Sequence, residues 1–527
     1  MKLNKLFLAI ITSFSLVFIS GCGSSQTELP EGTISYAIKA EPASLDPALT
    51  TGLPESNAEL ELFEGLTRID KNGIPQPALA EKWEISSDGM TYRFYLREGI
   101  CWSDGTPITA DDFVYSWKRV LDPNTASQNA YMLFVLKNGE AYNSEEAAAD
   151  DVGVRAIDER TLEVQLGEPA AYFLGLTSFH AFYPVPKHIV EVNPETWAGS
   201  DKNIVSCGPY ILKKWIHSSE IIMMKNDNYW NKDNVKSPCI VMPISESAAT
   251  RVNFLESGNA DIVDEPPSAD EARLRDLGLY KPYPMLGTIY YVFNLEKAPF
   301  DNPKVRQAFA MSIERENFVR NVVKSGKEPA YAFVPPGMII NKNDFRSGSY
   351  EKLMQENAEE ARKILKESGY NGEAITLLYG TSESSKVICE GIQDMWKKNL
   401  GLEVELVNQE TKVFYDNRDN GDYQIAYANW IADFSDPMNF LDIYYDPNNE
   451  SRYKNPKFIE LVAKAKQETD GVKRAEYMHE AEQLLIDDYV IIPLYYSSMN
   501  LVINPRIKGY FTSPMGLVDL TEAYLEN

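Results

Sequence analysis

Tyr92-Arg-Phe-Tyr-Leu96, followed shortly by Ala110-Asp-Asp-Phe-Val-Tyr-Ser-Trp-Lys-Arg-Val-Leu121, carries the two periodicities on which this fold rests. The first alternates at period two, the pattern of a strand with one face buried. The second sets Phe113, Val114, Trp117, Val120 and Leu121 along one helical face, opens on Asp111 and Asp112, and stops at Pro123. Thr33-Ile-Ser-Tyr-Ala-Ile38 and Leu162-Glu-Val-Gln-Leu166 repeat the strand pattern. Residues 357–368 and 386–398 read as amphipathic helices, the first closed by Gly369. Short strands separated by helices indicate an α/β architecture. The prolines at 184/186, 266/267, 282/284 and 335/336 are expected to mark crossings or surface loops.

The 527 residues exceed what one hydrophobic core usually supports, so two or three domains are expected. With 44% hydrophobic residues there is ample material for them. The formal charge of −26, unbroken by any Lys/Arg-rich run, repels nucleic acid and excludes it as a partner.

Before this body stands a targeting segment. Lys2 and Lys5 precede an apolar stretch from Leu6 to Ile19, which closes on Ile19-Ser20-Gly21-Cys22. The stretch falls short of the roughly 20 residues that cross a bilayer core, so a cleaved lipoprotein-type signal (1–21) is expected, with Cys22 lipidated. Residues 22–32 are then a polar tether holding the body to the outer face of a cell membrane.

The other four cysteines, Cys101, Cys207, Cys239 and Cys389, have no C-x-x-C spacing and are read as buried small apolar residues. His180, His188, His217 and His479 show no H-x-x-x-H or H-E-x-x-H spacing, so neither a metal nor another cofactor is expected. No G-x-S-x-G elbow, Walker motif or dinucleotide fingerprint occurs. A glycosidase-type carboxylate pair could stand among 77 acidic residues, but nothing marks one, and a non-enzymatic role is expected.

Several separated segments carry a resemblance. They are Glu41-Pro-Ala-Ser-Leu-Asp-Pro47, Leu62-Phe-Glu-Gly-Leu66, Pro77-Ala-Leu-Ala-Glu-Lys-Trp83, Trp102-Ser-Asp-Gly-Thr-Pro107, Gly208-Pro-Tyr210, Val305-Arg-Gln-Ala308 and Asn408-Gln-Glu410. Across the whole mature chain this order resembles the extracytoplasmic oligopeptide-binding proteins, family 5 (peptide/nickel class) of the solute-binding proteins of ABC importers. The resemblance implies a periplasmic-binding-protein-like type II α/β fold with three lobes. Lobe I is 33–63 with 187–286 and 499–527, lobe II is 64–186, and lobe III is 287–498. An extended ligand lies between lobes I and III and is enclosed when they close, its backbone bonded as an added strand.

By the same resemblance, Trp430-Ile-Ala-Asp-Phe-Ser-Asp-Pro437 carries an ammonium anchor at Asp433; the plainer alternative is that Asp433 caps the turn into Pro437. Backbone around Leu53 and at Asn429, Trp430 and Ile431 is expected to pair with the peptide. Arg418 matches a basic position that could receive a carboxylate, and Tyr495 and Tyr496 fall where the family lines its cleft with aromatics. Tyr427, Ser385 and Thr411 stand where the best-known members have arginine, histidine and tryptophan, so ligand length and residue preference do not carry over. The expected partners are an oligopeptide, an ABC permease with its ATPase subunits, and the membrane through Cys22; the chain is expected to act as a monomer. A peptide-sensing receptor, or a binder of a metal chelate, haem or sugar, are the alternatives.

Overall fold

The computed structural model describes residues 29–446 and 448–526; the signal segment and Cys22 lie outside the described residues. One mixed sheet of eleven strands runs through the molecule. Its centre is an antiparallel ribbon of two long strands, Tyr280–Phe293 and Ile491–Ile503. Beyond Ile491–Ile503 follow Ile262–Asp264, Ile34–Ala37, Cys239–Pro243, Glu220–Lys225 and Tyr210–Ile216. Beyond Tyr280–Phe293 follow Ile425–Ile431, Ile375–Gly380 and Val404–Gln409, and the eleventh strand, Glu328–Pro329, pairs with Ile491–Ile503 at Tyr495 and Tyr496. Ile34–Ala37 pairs in parallel on both sides, and the inner strands read as continuous apolar runs because both faces are covered.

The sheet is continuous, but the core is not. One hydrophobic cluster gathers residues from Ile34 to Ile262 with the C-terminal Leu501, Leu520 and Ala523; a second gathers Leu286 to Tyr495. The two are bridged by the ribbon, whose register slips between Pro284/Thr288 and again between Ile289/Tyr290. At the first slip a side chain on Gly287 would meet Ser497 Oγ at 2.8 Å and the Trp430 carbonyl at 3.0 Å, so glycine lets three strands approach there.

Of the crossings or surface loops expected at the prolines, those at 282 and 284 mark no loop but lie in the ribbon that bridges the two cores. Both lie inside Tyr280–Phe293, opposite Asn500 and Ser498. Ile425–Ile431 joins this strand only from Gly287 onward, so the proline nitrogens owe no hydrogen bond on that side.

A separate four-stranded antiparallel sheet takes Ala80–Ile85, Thr91–Leu96, Thr161–Gln165 and Val154–Asp158 in that order. The helix Ala110–Leu121 contributes the fully buried Phe113, Trp117 and Leu121 to the first core. Its start is fixed by Asp112, whose carboxylate accepts the Thr109 N–H at 2.8 Å, and the Trp117 indole donates to the Phe182 carbonyl at 2.9 Å. On the solvent face Glu84, Arg93, Glu163 and Arg155 form one row of alternating sign across the four strands. All four cysteines of the body are free thiols. Cys207, Cys239 and Cys389 are buried as expected, but Cys101 is only half-buried, because it sits at the mouth of the exposed turn that pairs it with Pro107.

Candidate functional site

The strand Ile425–Ile431 runs into Ala432-Asp433-Phe434-Ser435-Asp436-Pro437 and then the short helix Met438–Leu441. The cap of that helix is Asp436, whose Oδ1 accepts the Met438 N–H at 2.9 Å. Both Asp436 oxygens also grip the Arg474 guanidinium, at 2.7 and 2.9 Å, in a buried bidentate pair. The turn into the helix is thus capped by Asp436 rather than by Asp433.

The Asp433 carboxylate is held by neutral donors. Its Oδ2 accepts the Tyr131 hydroxyl at 3.0 Å and the Asn439 side-chain amide at 3.4 Å. The Asn439 carbonyl oxygen in turn accepts the Trp430 indole N–H at 2.8 Å and the Asp433 backbone N–H at 3.2 Å, which fixes the loop beneath the carboxylate. Among the described residues, no lysine, arginine or histidine pairs with Asp433. Burial pushes its carboxyl above the usual aspartate range, and the bonds from Tyr131 and Asn439 oppose that rise.

Asp433 lines a cavity of about 260 Å³ that reaches Leu53, Phe179, Ile431, Phe511 and Leu517. Four chain segments far apart in sequence thus meet at this point. Next to Asp433, Phe434 stacks on Tyr172 with ring centroids 4.3 Å apart and planes 12° from parallel. Tyr131 and Tyr172, both within residues 64–186, therefore touch the loop of Asp433 and Phe434 directly.

The backbone leading into this loop has an open edge. Gly287, Thr288 and Ile289 pair with Ile431, Trp430 and Asn429 on one side. On the other side Ile375–Gly380 pairs only at Ile425 and Ala426. Among the described residues, no strand covers the far edge of Asn429 to Ile431, so its backbone groups can take an added strand.

The other expected residues are placed differently. Leu53 opens the helix Leu53–Leu62 after an extended Gly52, and its carbonyl accepts the Asn57 side-chain amide at 2.8 Å, so Leu53 offers its side chain to the cavity rather than a strand edge. Arg418 faces Glu450, its Nε 3.4 Å from Oε2, and lies 5.0 Å above the Tyr415 ring. Glu450 is further held by the hydroxyls of Tyr290 and Tyr444 at 2.9 and 3.0 Å, so the Arg418 charge already has a partner. Tyr495 is 5% exposed and packs in the second core, while Tyr496 is half-buried beside the Ala332 carbonyl.

Sequence reading missed Tyr131, Tyr172 and Asn439. The first stands 302 positions from Asp433 and the second 261, and no local pattern connects them. Asn439 lies in the helix Met438–Leu441 that follows the loop, and an amide soon after Asp433 was the available signal.

Among the described residues, no group of three or more His, Cys, Asp or Glu side chains is arranged to hold a metal, and no helix is long and apolar enough to cross a membrane. Two cores joined by a strand ribbon meet at a half-buried carboxylate that lines a cavity, the concave arrangement expected of a ligand site. The family model described as bacterial extracellular solute-binding proteins, family 5, middle region, matches residues 75–452. The oligopeptide-binding protein OppA of Bacillus subtilis is 37% identical over the full length of both chains. Two solved structures superpose closely. OppA of Haemophilus influenzae in complex with RPPGFSPFR has a TM-score of 0.76 and 32% identity, covering 95% of this chain and 100% of that one. The pheromone receptor PrgZ has a TM-score of 0.77 and 28% identity, covering 94% and 100%. The chain belongs to family 5 of the bacterial extracellular solute-binding proteins and has their type II fold.

Proposed function

We propose that this protein is the lipid-anchored receptor subunit of a peptide ABC importer, which captures linear oligopeptides by their free N-terminus and hands them to a membrane permease. The observation that carries the reading is the Asp433 carboxylate: half-buried, without a cation partner among the described residues, and held by Tyr131 and Asn439 at the end of an unpaired strand edge. An α-ammonium supplies the missing charge, and the open edge of Asn429 to Ile431 supplies backbone bonds that are indifferent to side chain. Trp430 positions the loop through Asn439, and Leu53 and Ile431 line the space beside the ammonium. Arg418, Tyr495 and Tyr496 lie deeper in the second half and act as support rather than as direct contacts. The lobes divide as 33–63, 187–286 and 499–527 for the first, 64–186 for the second and 287–498 for the third. Their closure bends the ribbon at its register slips, where the strand pairing is already irregular.

Native mass spectrometry of the purified protein tests the ligand class. Adducts whose fragments form peptide ladders are expected. A bile-acid mass is the contrary result, because the probable deoxycholate-binding protein YgiS of Escherichia coli is 30% identical across 99% of both chains. The likeness to PrgZ keeps a sensing role as the second reading; it uses the same site and differs only in the partner downstream.

The anchor at Cys22 is part of the same proposal. In cell fractionation, wild type is expected in the membrane and Cys22→Ala in the soluble extracytoplasmic fraction; equal membrane retention of both would remove the lipid from the account.

A further inference from the structure

We propose that the cavity beside Asp433 is a dry subsite for a large apolar side chain on the ligand's first residue, so that this receptor selects peptides beginning with residues such as leucine or phenylalanine. The inference rests on the peptide reading above and adds a choice of ligand to it.

The walls support it. Leu53, Phe179, Ile431, Phe511, Met515 and Leu517 present apolar surface from both halves of the molecule. A cavity of 260 Å³ exceeds the ~150 Å³ in which an apolar site can hold a benzene ring, leaving room for the α-carbon and little more. The next residue must then leave along the edge of Asn429 to Ile431.

Most of the polar groups in the wall are already engaged within the protein. Arg68 donates from Nε to Asp519 at 2.9 Å, from Nη1 to Glu64 at 3.1 Å, and from Nη2 to the Thr521 hydroxyl at 2.8 Å. The other Asp519 oxygen accepts the Thr521 N–H at 2.9 Å. The Ser56 and Ser178 hydroxyls donate to the Gly52 and Gly175 carbonyls at 2.9 and 2.6 Å. His180 Nε2 lies 3.0 Å from the Thr50 carbonyl, and burial pushes its pKa down to about 4, which keeps the ring neutral. A lysine or glutamate side chain entering here meets no unpaired opposite charge and loses its hydration. Asp433, the one carboxylate of the wall held by neutral side chains alone, is reserved for the ammonium.

The test is a calorimetric series X-Ala-Ala-Ala on wild type, with X as leucine, phenylalanine, alanine, lysine or glutamate. Leucine and phenylalanine are expected to bind about 50-fold tighter than alanine, the equivalent of ~0.8 kcal/mol for each of three buried carbons. Lysine and glutamate are expected to bind no better than alanine. Affinities equal within threefold, or a preference for lysine or glutamate, would overturn the subsite and leave the peptide reading intact. Binding by none of the five would overturn both. As a check from the protein side, Met515→Glu places a carboxylate on the wall and is expected to narrow the gap between leucine and lysine at least tenfold. An unchanged gap in the folded variant would show that the first side chain lies elsewhere.

Discussion

Asp433→Asn should weaken peptide binding by a hundred- to several-thousand-fold while leaving the fold intact. Stranding one member of a buried charge pair costs about 3–5 kcal/mol, and each ~1.4 kcal/mol is a decade in affinity. The substitution keeps the shape of the side chain and an oxygen able to accept from Tyr131, so its effect on the free protein is small. Stability at neutral pH should even rise slightly. A carboxyl whose folded pKa is raised contributes stability only below its unfolded value, near 3.9, and loses it as pH rises through the folded one; asparagine has no such penalty. For wild type, peptide affinity should fall as pH drops through the raised Asp433 value, since protonation removes the charge that the ammonium seeks. That pH dependence should be absent from Asp433→Asn.

Arg474→Met should be the most destabilising single change near the site, by about 3–5 kcal/mol, because it leaves the Asp436 carboxylate buried and alone. Asp436 is also the cap of Met438–Leu441, so the loop that carries Asp433 loses its footing at the same time. Chemical denaturation gives the first effect and peptide titration the second. The paired variant Asp436→Leu with Arg474→Met should recover much of the stability, as buried ion pairs often yield to apolar replacements of similar volume, but not the affinity, since it removes the Asp436 cap as well. Recovery of both would show that the ion pair has no part in placing Asp433.

How far the sequence could be read depended on how local each cause was. The strand Thr91–Leu96 and the helix Ala110–Leu121 are visible because their periodicity and caps lie within a few residues. The helix over 386–398 extends back to Glu383, because Ser382 accepts the Ser385 N–H and begins it earlier than the apolar pattern does. The central ribbon was hidden. Tyr280–Phe293 contains two prolines and a glycine that read as breaks, and only the late arrival of its second neighbour, at Gly287, makes them tolerable. At the site, Asp433 was reachable through its family segment, whereas its hydroxyl donor at Tyr131 comes from a different part of the fold. The role of Asp436 could not be separated from that of Asp433 by spacing, since both precede the same short helix; the bond to Met438 distinguishes them.

The central claim is that Asp433 and the peptide α-ammonium recognise one another, and a calorimetric cycle over four combinations tests it most directly. Wild type and Asp433→Asn are each titrated with one leucine-initiated peptide and with its N-acetylated form. Either change alone should weaken binding a hundredfold or more, and the two together should cost far less than the product of the separate losses, because each removes the same contact. Independent, multiplying losses, or full-strength binding of the acetylated peptide to wild type, would contradict the account.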